Sequence, residues 1–559
     1  MVSFQGVGRR MAMGVCVLLS SCAAAGAGTA PGHDAYGPFL AARYADAVGD
    51  PAVATDYYMQ ALKYAPHNPN LIGEGFLAAL LAGSPQAAAL APEVPGNALS
   101  AMLEGNRAAA AGRYGEAEQD FGTLPADDLA GLIKPLLLAW AQYGAGETQR
   151  AIAGLAPHFT SDAYGPVYVL NAALIADAAH DEADAAKLYG AVAPAAPNLR
   201  LAQILASWDA RSGHLPAAEA ALAALASAHP DMELALPGLQ ARIAQPVIDS
   251  PAAGLAEAYL TLAGSLQAPQ QAFLRVIFLR FALELRPDLT AARLLLASIV
   301  GGGENEHVPP TATQMQHALA VLAPVQQGDP LYGPVALQEA GLLAGLNQPQ
   351  KAIALLRPML AAAPQDVDLL QVVGDIERGA HENQAAIRDY DAALAALGQP
   401  TPAGAWSLLF DRGICEDEDG DWPAAERDMV AARALAPNQP YVLNYLAYSW
   451  ALRGEKLDQA HAMLAEALSL DPHDGAIIDS LGYVELRQGQ TKAALADLIH
   501  AVELDPDDAE VNAHLGDAFA KAGEGLQADY QWRRALSLQP DDKLRAQITA
   551  DLAHDTPPA

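Results

Sequence analysis

The run CEDEDGD, residues 415–421, gathers five carboxylates beside a cysteine and a glycine. Alternating carboxylates around a glycine are what a hard cation such as calcium requires. Counting back from Gly420, however, puts Cys415 where the first oxygen ligand belongs. The run is therefore expected to form a solvated turn between two helices, with Cys415 on or beside it and no base to activate the thiol. With Cys16 and Cys22 the chain has three cysteines, too few and too scattered for a disulfide framework or a zinc site. The fourteen histidines are dispersed. His500 and His514 fall on different helices of the register described below, and both are expected to be surface or packing residues. No phosphate loop, dinucleotide glycine fingerprint, zincin helix or serine nucleophile elbow occurs. The sequence points to no catalytic residues, no metal and no cofactor.

Any other chemistry must come from recognition, so the positioning elements decide what is possible. Hydrophobic residues make up 52% of the 559 positions but aromatics only 6%. The excess is mostly alanine, a strong helix former that lets helix backbones approach closely. Pro472, Pro506 and Pro540 stand 34 apart, closing EALSLDP, HAVELDP and RALSLQP. Twelve residues before each stands Ala460, Ala494 or Ala528. A large residue follows four later, Leu464, Leu498 or Trp532, and Ala467, Ala501 or Ala535 seven later. Gly482 and Gly516 precede their alanines by twelve. Small residues at fixed intervals are needed where two helices cross, because bulk there would hold the backbones apart.

This pattern resembles the tetratricopeptide repeat, a helix pair A and B ended by proline. The resemblance implies an all-α superhelical solenoid of antiparallel helix pairs, here in two arrays. A single pair leaves an apolar face wet, and only stacking the next pair covers it. The register extends to Ala318/Leu322, Ala352/Leu356, Ala386/Tyr390 and Ala425/Met429, with Pro364 and Pro437 in place. An N-terminal series runs through Ala117/Phe121, Ala151/Leu155, Ala185/Tyr189 and Ala218/Leu222, with Ala54, Tyr58, Ala61 and Pro66 as an isolated first copy.

The expected organisation is a degenerate array over 36–237, a joint at 238–254 where the pattern lapses, a second array over 255–540, and a capping helix and tail over 541–559. Loops are expected at 301–310 and 397–404, and one extra residue near 453–460. The repeat family lines its concave side with helix A. Carried onto this chain, that implies a protein-binding wall of Tyr441, Asn444 and Tyr448, then Asp479, Tyr483 and Arg487, then Asp517 and Lys521. Tyrosine, arginine and asparagine together suit peptide recognition. The lysine and asparagine clamp that some repeats use for a peptide's terminal carboxylate is not reproduced.

The first twenty-two residues carry Arg9, Arg10 and an apolar run from Met11 to Leu19, too short to span a bilayer permanently. Leu19-Ser20-Ser21-Cys22 resembles the lipobox of bacterial lipoproteins. That likeness implies a signal over 1–22, acylation at Cys22, and residues 23–35 as a tether. Ala23 is not the aspartate that marks inner-membrane retention in that family, which implies the outer membrane, facing the periplasm. The net charge of −33 argues against nucleic-acid partners and favours a neutral or basic protein.

Residues 250–545 also resemble a group of large tetratricopeptide lipoproteins. The likeness lies in VLNYLAYSWALRGEKLDQAHAML (442–464) and IIDSLGYVELRQG (477–489), flanked by RGICEDEDGDWPAAERDM and HLGDAFAKAG. Members of that group are adaptors that bring a carboxyl-terminal processing protease together with its cell-wall-hydrolase substrates. The resemblance implies a non-enzymatic scaffold of that kind. A scaffold lipoprotein for exopolysaccharide export or envelope assembly would share the same features.

Overall fold

The computed structural model describes residues 35–555 apart from 127, 162–163, 193–197, 267, 269–270, 303–308 and 400. The signal, Cys22, nearly all of the tether and the last residues of the tail lie outside the described residues, as does most of the 301–310 loop. Among the described residues every regular element is helical, and no helix is long and apolar enough to cross a membrane.

Local chemistry explains where the helices start and stop. In three repeats a proline closes the B helix, and an aspartate two residues later caps the next A helix. Asp366, Asp474 and Asp508 follow Pro364, Pro472 and Pro506. Asp474 accepts from the Ile477 amide at 3.0 Å, and Asp508 from those of Glu510 and Val511 at 2.8 and 3.0 Å. Each such cap satisfies amides that the first turn leaves without partners and contributes about 1 kcal/mol. The extra residue near 453–460 is absorbed by a second left-handed position. Gly454 has φ 71° and Lys456 φ 47°, and the Lys456 ammonium is held by Glu426 and the Trp450 ring.

The small positions of the repeat are buried throughout. Ala54, Ala117, Ala151, Ala185, Ala218, Ala318, Ala352, Ala386, Ala425, Ala460, Ala494 and Ala528 are all 0% exposed. The glycines mark the tightest crossings. A Cβ on Gly482 would stand 2.7 Å from Leu498 Cγ, on Gly374 2.8 Å from Tyr390 Cε1, and on Gly516 2.5 Å from Trp532 Cδ1. In each case the obstructing side chain is the large residue of the same repeat, so bulk is withheld on helix A where helix B supplies it.

The chain divides into two units, one through Leu355 and one from Leu356 onward. In the second, the pairs are Val367–Gly379 with Asn383–Leu397, Trp406–Glu418 with Trp422–Leu435, Pro440–Arg453 with Leu457–Leu470, Gly475–Arg487 with Thr491–Leu504, and Ala509–Lys521 with Gly525–Ser537. Helix Asp542–Asp555 follows, and its Ile548 is buried with Ala513 and Trp532. The core here is a series of small clusters, one around Met429–Val484, another around Leu486–Ala518 and a third around Ala513–Ile548.

The unit through Leu355 is built differently. Several of its B helices are short, as in Tyr114–Gly122, Thr148–Leu155 and Glu182–Tyr189, and its core is one large cluster running from Ala42 to Val335 with a small satellite of Ala202, Leu225 and Met232. The division falls at Leu355, outside the stretch 238–254 where the sequence pattern suggests a joint. The repeat does lapse there, with a six-residue helix Leu236–Ala241 directly preceded by a 3-10 helix Pro230–Ala235. The segment is nevertheless packed. Leu239 and Ile248 belong to the core, Ser207 Oγ donates to the Gln245 carbonyl at 2.6 Å, and Arg286 donates to that of Val247 at 3.1 Å. The following helix, Pro251–Ser265, lies against Asp128–Gly144 and Gly165–Ala178, with Gly254 against the Trp140 ring. A lapse in period alone does not separate units when the irregular segment is tied into the core by anchors such as Leu239 and Ile248.

The acidic run also differs from the expected turn. Cys415–Glu418 complete helix Trp406–Glu418, leaving only Asp419–Asp421 as a turn. Asp417 pairs with Arg453, Glu418 accepts from Asn383 at 3.1 Å, and Asp421 caps helix Trp422–Leu435. Glu426, twelfth from Cys415, accepts from Trp450 Nε1 at 2.6 Å. Cys415 is fully buried, and burial pushes its thiol up to about 12.

Candidate functional site

Three successive A helices of the second unit, Pro440–Arg453, Gly475–Arg487 and Ala509–Lys521, each present one ring to a shared patch. Tyr448 meets Tyr483 edge to face, with centroids 5.4 Å apart, and His514 at 6.0 Å. Tyr483 lies over His514 at 4.5 Å and 35°. Offset and edge geometries of this kind contribute about 1 kcal/mol beyond burial. Arg487 closes one side, donating to the Tyr483 hydroxyl at 3.0 Å, with its guanidinium 5.7 Å from the ring.

Carboxylates fix the rings in place. Asp479, 6% exposed, stands 2.9 Å from Nδ1 of His514, which is 5% exposed. Tyr448 donates its hydroxyl to Glu510 at 2.5 Å and lies 3.4 Å from His514 Nε2. Burial pushes the Tyr448 phenol above its ordinary range, and the Glu510 charge adds to the effect. Burial alone would favour neutral His514, but the Asp479 carboxylate outweighs it, helped by Glu510 and Asp517, and raises the imidazolium to about 9.

The pair therefore stabilises the unit in one pH range. Unfolded histidine titrates near 6.5, and the folded value lies above it. The contribution is complete below about pH 6.5 and is lost as pH rises through about 9. Wild type is expected to lose stability relative to Asp479→Asn as pH goes from 6 to 9.5. Parallel denaturation midpoints for the two proteins across that range would show that the pair does not ionise as described.

Of the eight residues expected on this wall, the patch brings together Tyr448, Asp479, Tyr483 and Arg487. Tyr441 is 60% exposed and takes no part in the ring contacts. Asn444 is half-buried, and its Oδ1 has no hydrogen-bond partner. Asp517 turns inward instead, accepting from Trp532 Nε1 at 2.9 Å within its own helix pair. Lys521 is exposed. Two members were missed, His514 and Glu510. The available signal was spacing, since His514 follows Asp479 by 35 residues, one repeat plus one position. Among the described residues, no group of three or more His, Cys, Asp or Glu side chains could hold a metal ion.

The sequence comparisons agree with the repeat. Residues 482–523 match the TPR repeat family. A TPR repeat-containing protein of Pseudomonas aeruginosa is 34% identical over 84 residues, and the match covers 15% of this chain and 14% of that relative's length. Among solved structures, a tetratricopeptide repeat protein from Parabacteroides merdae gives a TM-score of 0.36 at 15% identity, covering 43% of this chain and 92% of that one. The Cut9–Hcn1 hetero-tetramer of the APC/C gives 0.37 at 14% identity, covering 94% and 96%. YrrB, described as a TPR protein with an unusual peptide-binding site, gives 0.27 at 17% identity, covering 35% and 97%.

Proposed function

We propose that this tetratricopeptide-repeat chain is a protein-binding scaffold that grips a partner segment at the Tyr448–Tyr483–His514 patch. The carrying observation is that rings from three consecutive helices are locked together by Asp479 and Glu510. Rigid aromatic area loses little conformational entropy on binding, which is why such residues dominate interface energetics. The carboxylates beside the rings and the net charge of −33 favour a neutral or basic segment.

The finer reading rests on the lipoprotein resemblance. In it the chain is anchored to the outer membrane through Cys22, faces the periplasm, and holds a carboxyl-terminal processing protease beside its cell-wall-hydrolase substrates. Such an adaptor acts by effective concentration and needs no reacting groups of its own.

Two experiments test these parts separately. The wild-type chain is expected to accelerate cleavage of a hydrolase by a processing protease from the same envelope. Tyr448→Ala/Tyr483→Ala should weaken partner binding by about thirtyfold, about 2 kcal/mol. Undiminished binding would remove the patch, and no acceleration by wild type would remove the adaptor role. Cys22→Ala is expected to move the protein from the membrane fraction to the soluble periplasm. Retention in the membrane would rule out the lipid anchor.

A further inference from the structure

The unit through Leu355 contains a pocket of about 450 Å³ whose lining includes Arg200, Arg242, Arg286 and Arg293. The chain has 32 lysines and arginines against 65 acidic residues, so four guanidiniums at one pocket run against its overall charge. They come from separate places. Arg200 and Arg293 lie in helices Leu199–Arg211 and Thr290–Val300, Arg242 follows helix Leu236–Ala241, and Arg286 follows helix Ala272–Leu285.

The four differ in what holds them. Arg200 is neutralised by Glu257, with three contacts of 2.5–3.0 Å. The other three are anchored on main-chain oxygens. Arg242 Nη2 donates to Gly328 at 3.0 Å, and Arg286 Nη1 to Val247 at 3.1 Å. Arg293 donates to Pro287 at 2.8 and 3.1 Å and to Val321 at 2.8 Å. A carbonyl orients a guanidinium without cancelling its charge.

Among the described residues, only two carboxylates line the pocket, Asp288 and Asp329. Asp329 is engaged by the Thr290 hydroxyl at 2.6 Å and the Leu331 amide at 2.8 Å. Asp288 stands 3.5 Å from Arg286, with its side chain 78% exposed. Three guanidiniums thus share two carboxylates, one largely in solvent and one already occupied.

The electrostatics show the same imbalance. Where an arginine of this chain has a dedicated carboxylate, as Arg211 has Asp177, its pKa is raised. Arg293 moves the other way, lowered chiefly by burial that Asp288 does not offset. Neighbouring Arg280 is lowered to about 10, by burial and then by the charge of Arg293. Burying like charges together is costly unless an anion joins them.

We infer that this pocket binds an oxyanion group, carboxylate or phosphate, carried by a ligand outside this chain. The preset guanidinium forks of Arg242 and Arg286 would grip its oxygens, and Arg293 would supply charge from behind. Planar, pre-oriented donors suit oxygen pairs better than a flexible ammonium does. This site lies on a different unit from the aromatic patch and stands without it.

The test is calorimetric titration of the full chain at low ionic strength with inorganic phosphate, citrate, or a glutamate-rich peptide with an amidated end. At least one is expected to saturate a single site, with affinity falling as salt rises. Arg242→Gln, at an exposed position, should keep the wild-type melting temperature yet weaken that binding about tenfold. Arg150→Gln, an exposed arginine elsewhere, should leave it unchanged. Saturation by phosphate alone would make the group a phosphate. Saturation by citrate or the peptide alone would make it a carboxylate. Failure of all three to saturate below about 10 mM, or equal binding by wild type and Arg242→Gln, would overturn the inference.

Discussion

Glu257→Ala is expected to destabilise the unit through Leu355 by about 3 to 5 kcal/mol, a large share of the stability of an ordinary domain. The Glu257 side chain is 0% exposed and that of Arg200 15%. The carboxylate receives Arg200 Nε at 2.9 and 3.0 Å and Nη2 at 2.5 Å, joining helices Leu199–Arg211 and Pro251–Ser265. Truncating the acid leaves a largely buried guanidinium with Gln203 as its remaining partner. That loss, more than the worth of the pair itself, accounts for the size of the effect. Arg200→Met/Glu257→Leu should therefore recover most of the stability. A single variant melting with wild type would show that solvent reaches the pair.

Gly254→Ala is expected to cost the same unit about 3 kcal/mol, the upper end for overpacking a filled core. A Cβ at this position would overlap the Trp140 ring. The indole is 0% exposed, and its Nε1 donates to Asn171 at 2.9 Å, so it cannot swing aside without breaking a buried hydrogen bond. Chemical denaturation of wild type and variant would measure the loss. Trp140→Leu should relieve the clash, so a double variant no more stable than Gly254→Ala would refute this contact as the cause.

These two sites also show what the sequence could reveal. The steric rule linking Gly482 to Leu498 and Gly516 to Trp532 acts inside one repeat, so its period is visible in a single chain and the buried alanines follow from it. Gly254 against Trp140 links residues 114 apart with no shared period, and nothing local announces it. For the same reason a lapse at 238–254 suggested a joint, whereas the structure divides at Leu355. In the aromatic patch, Tyr448, Asp479, Tyr483 and Arg487 were legible from their repeat positions. His514 was not, because a histidine becomes informative only when its partner, an aspartate of the preceding repeat, is known. Asp517 occupied a wall position yet faces Trp532, since a buried indole N–H needs an acceptor and the nearest carboxylate supplies it.

The contrast between one continuous core and a row of small ones governs how each unit comes apart. From Ala42 to Val335 most of the buried side chains form a single body, so amide protons on it should exchange with solvent in one concerted opening. Beyond Leu356 each cluster spans only neighbouring hairpins, and such a stack can fray from its carboxyl end, one hairpin peeling while the next stays shut. The last hairpins, which carry Glu510 and His514, are thus the first to loosen, and a ligand bridging Tyr448 to His514 would slow that peeling by clasping the terminal turns to the rest.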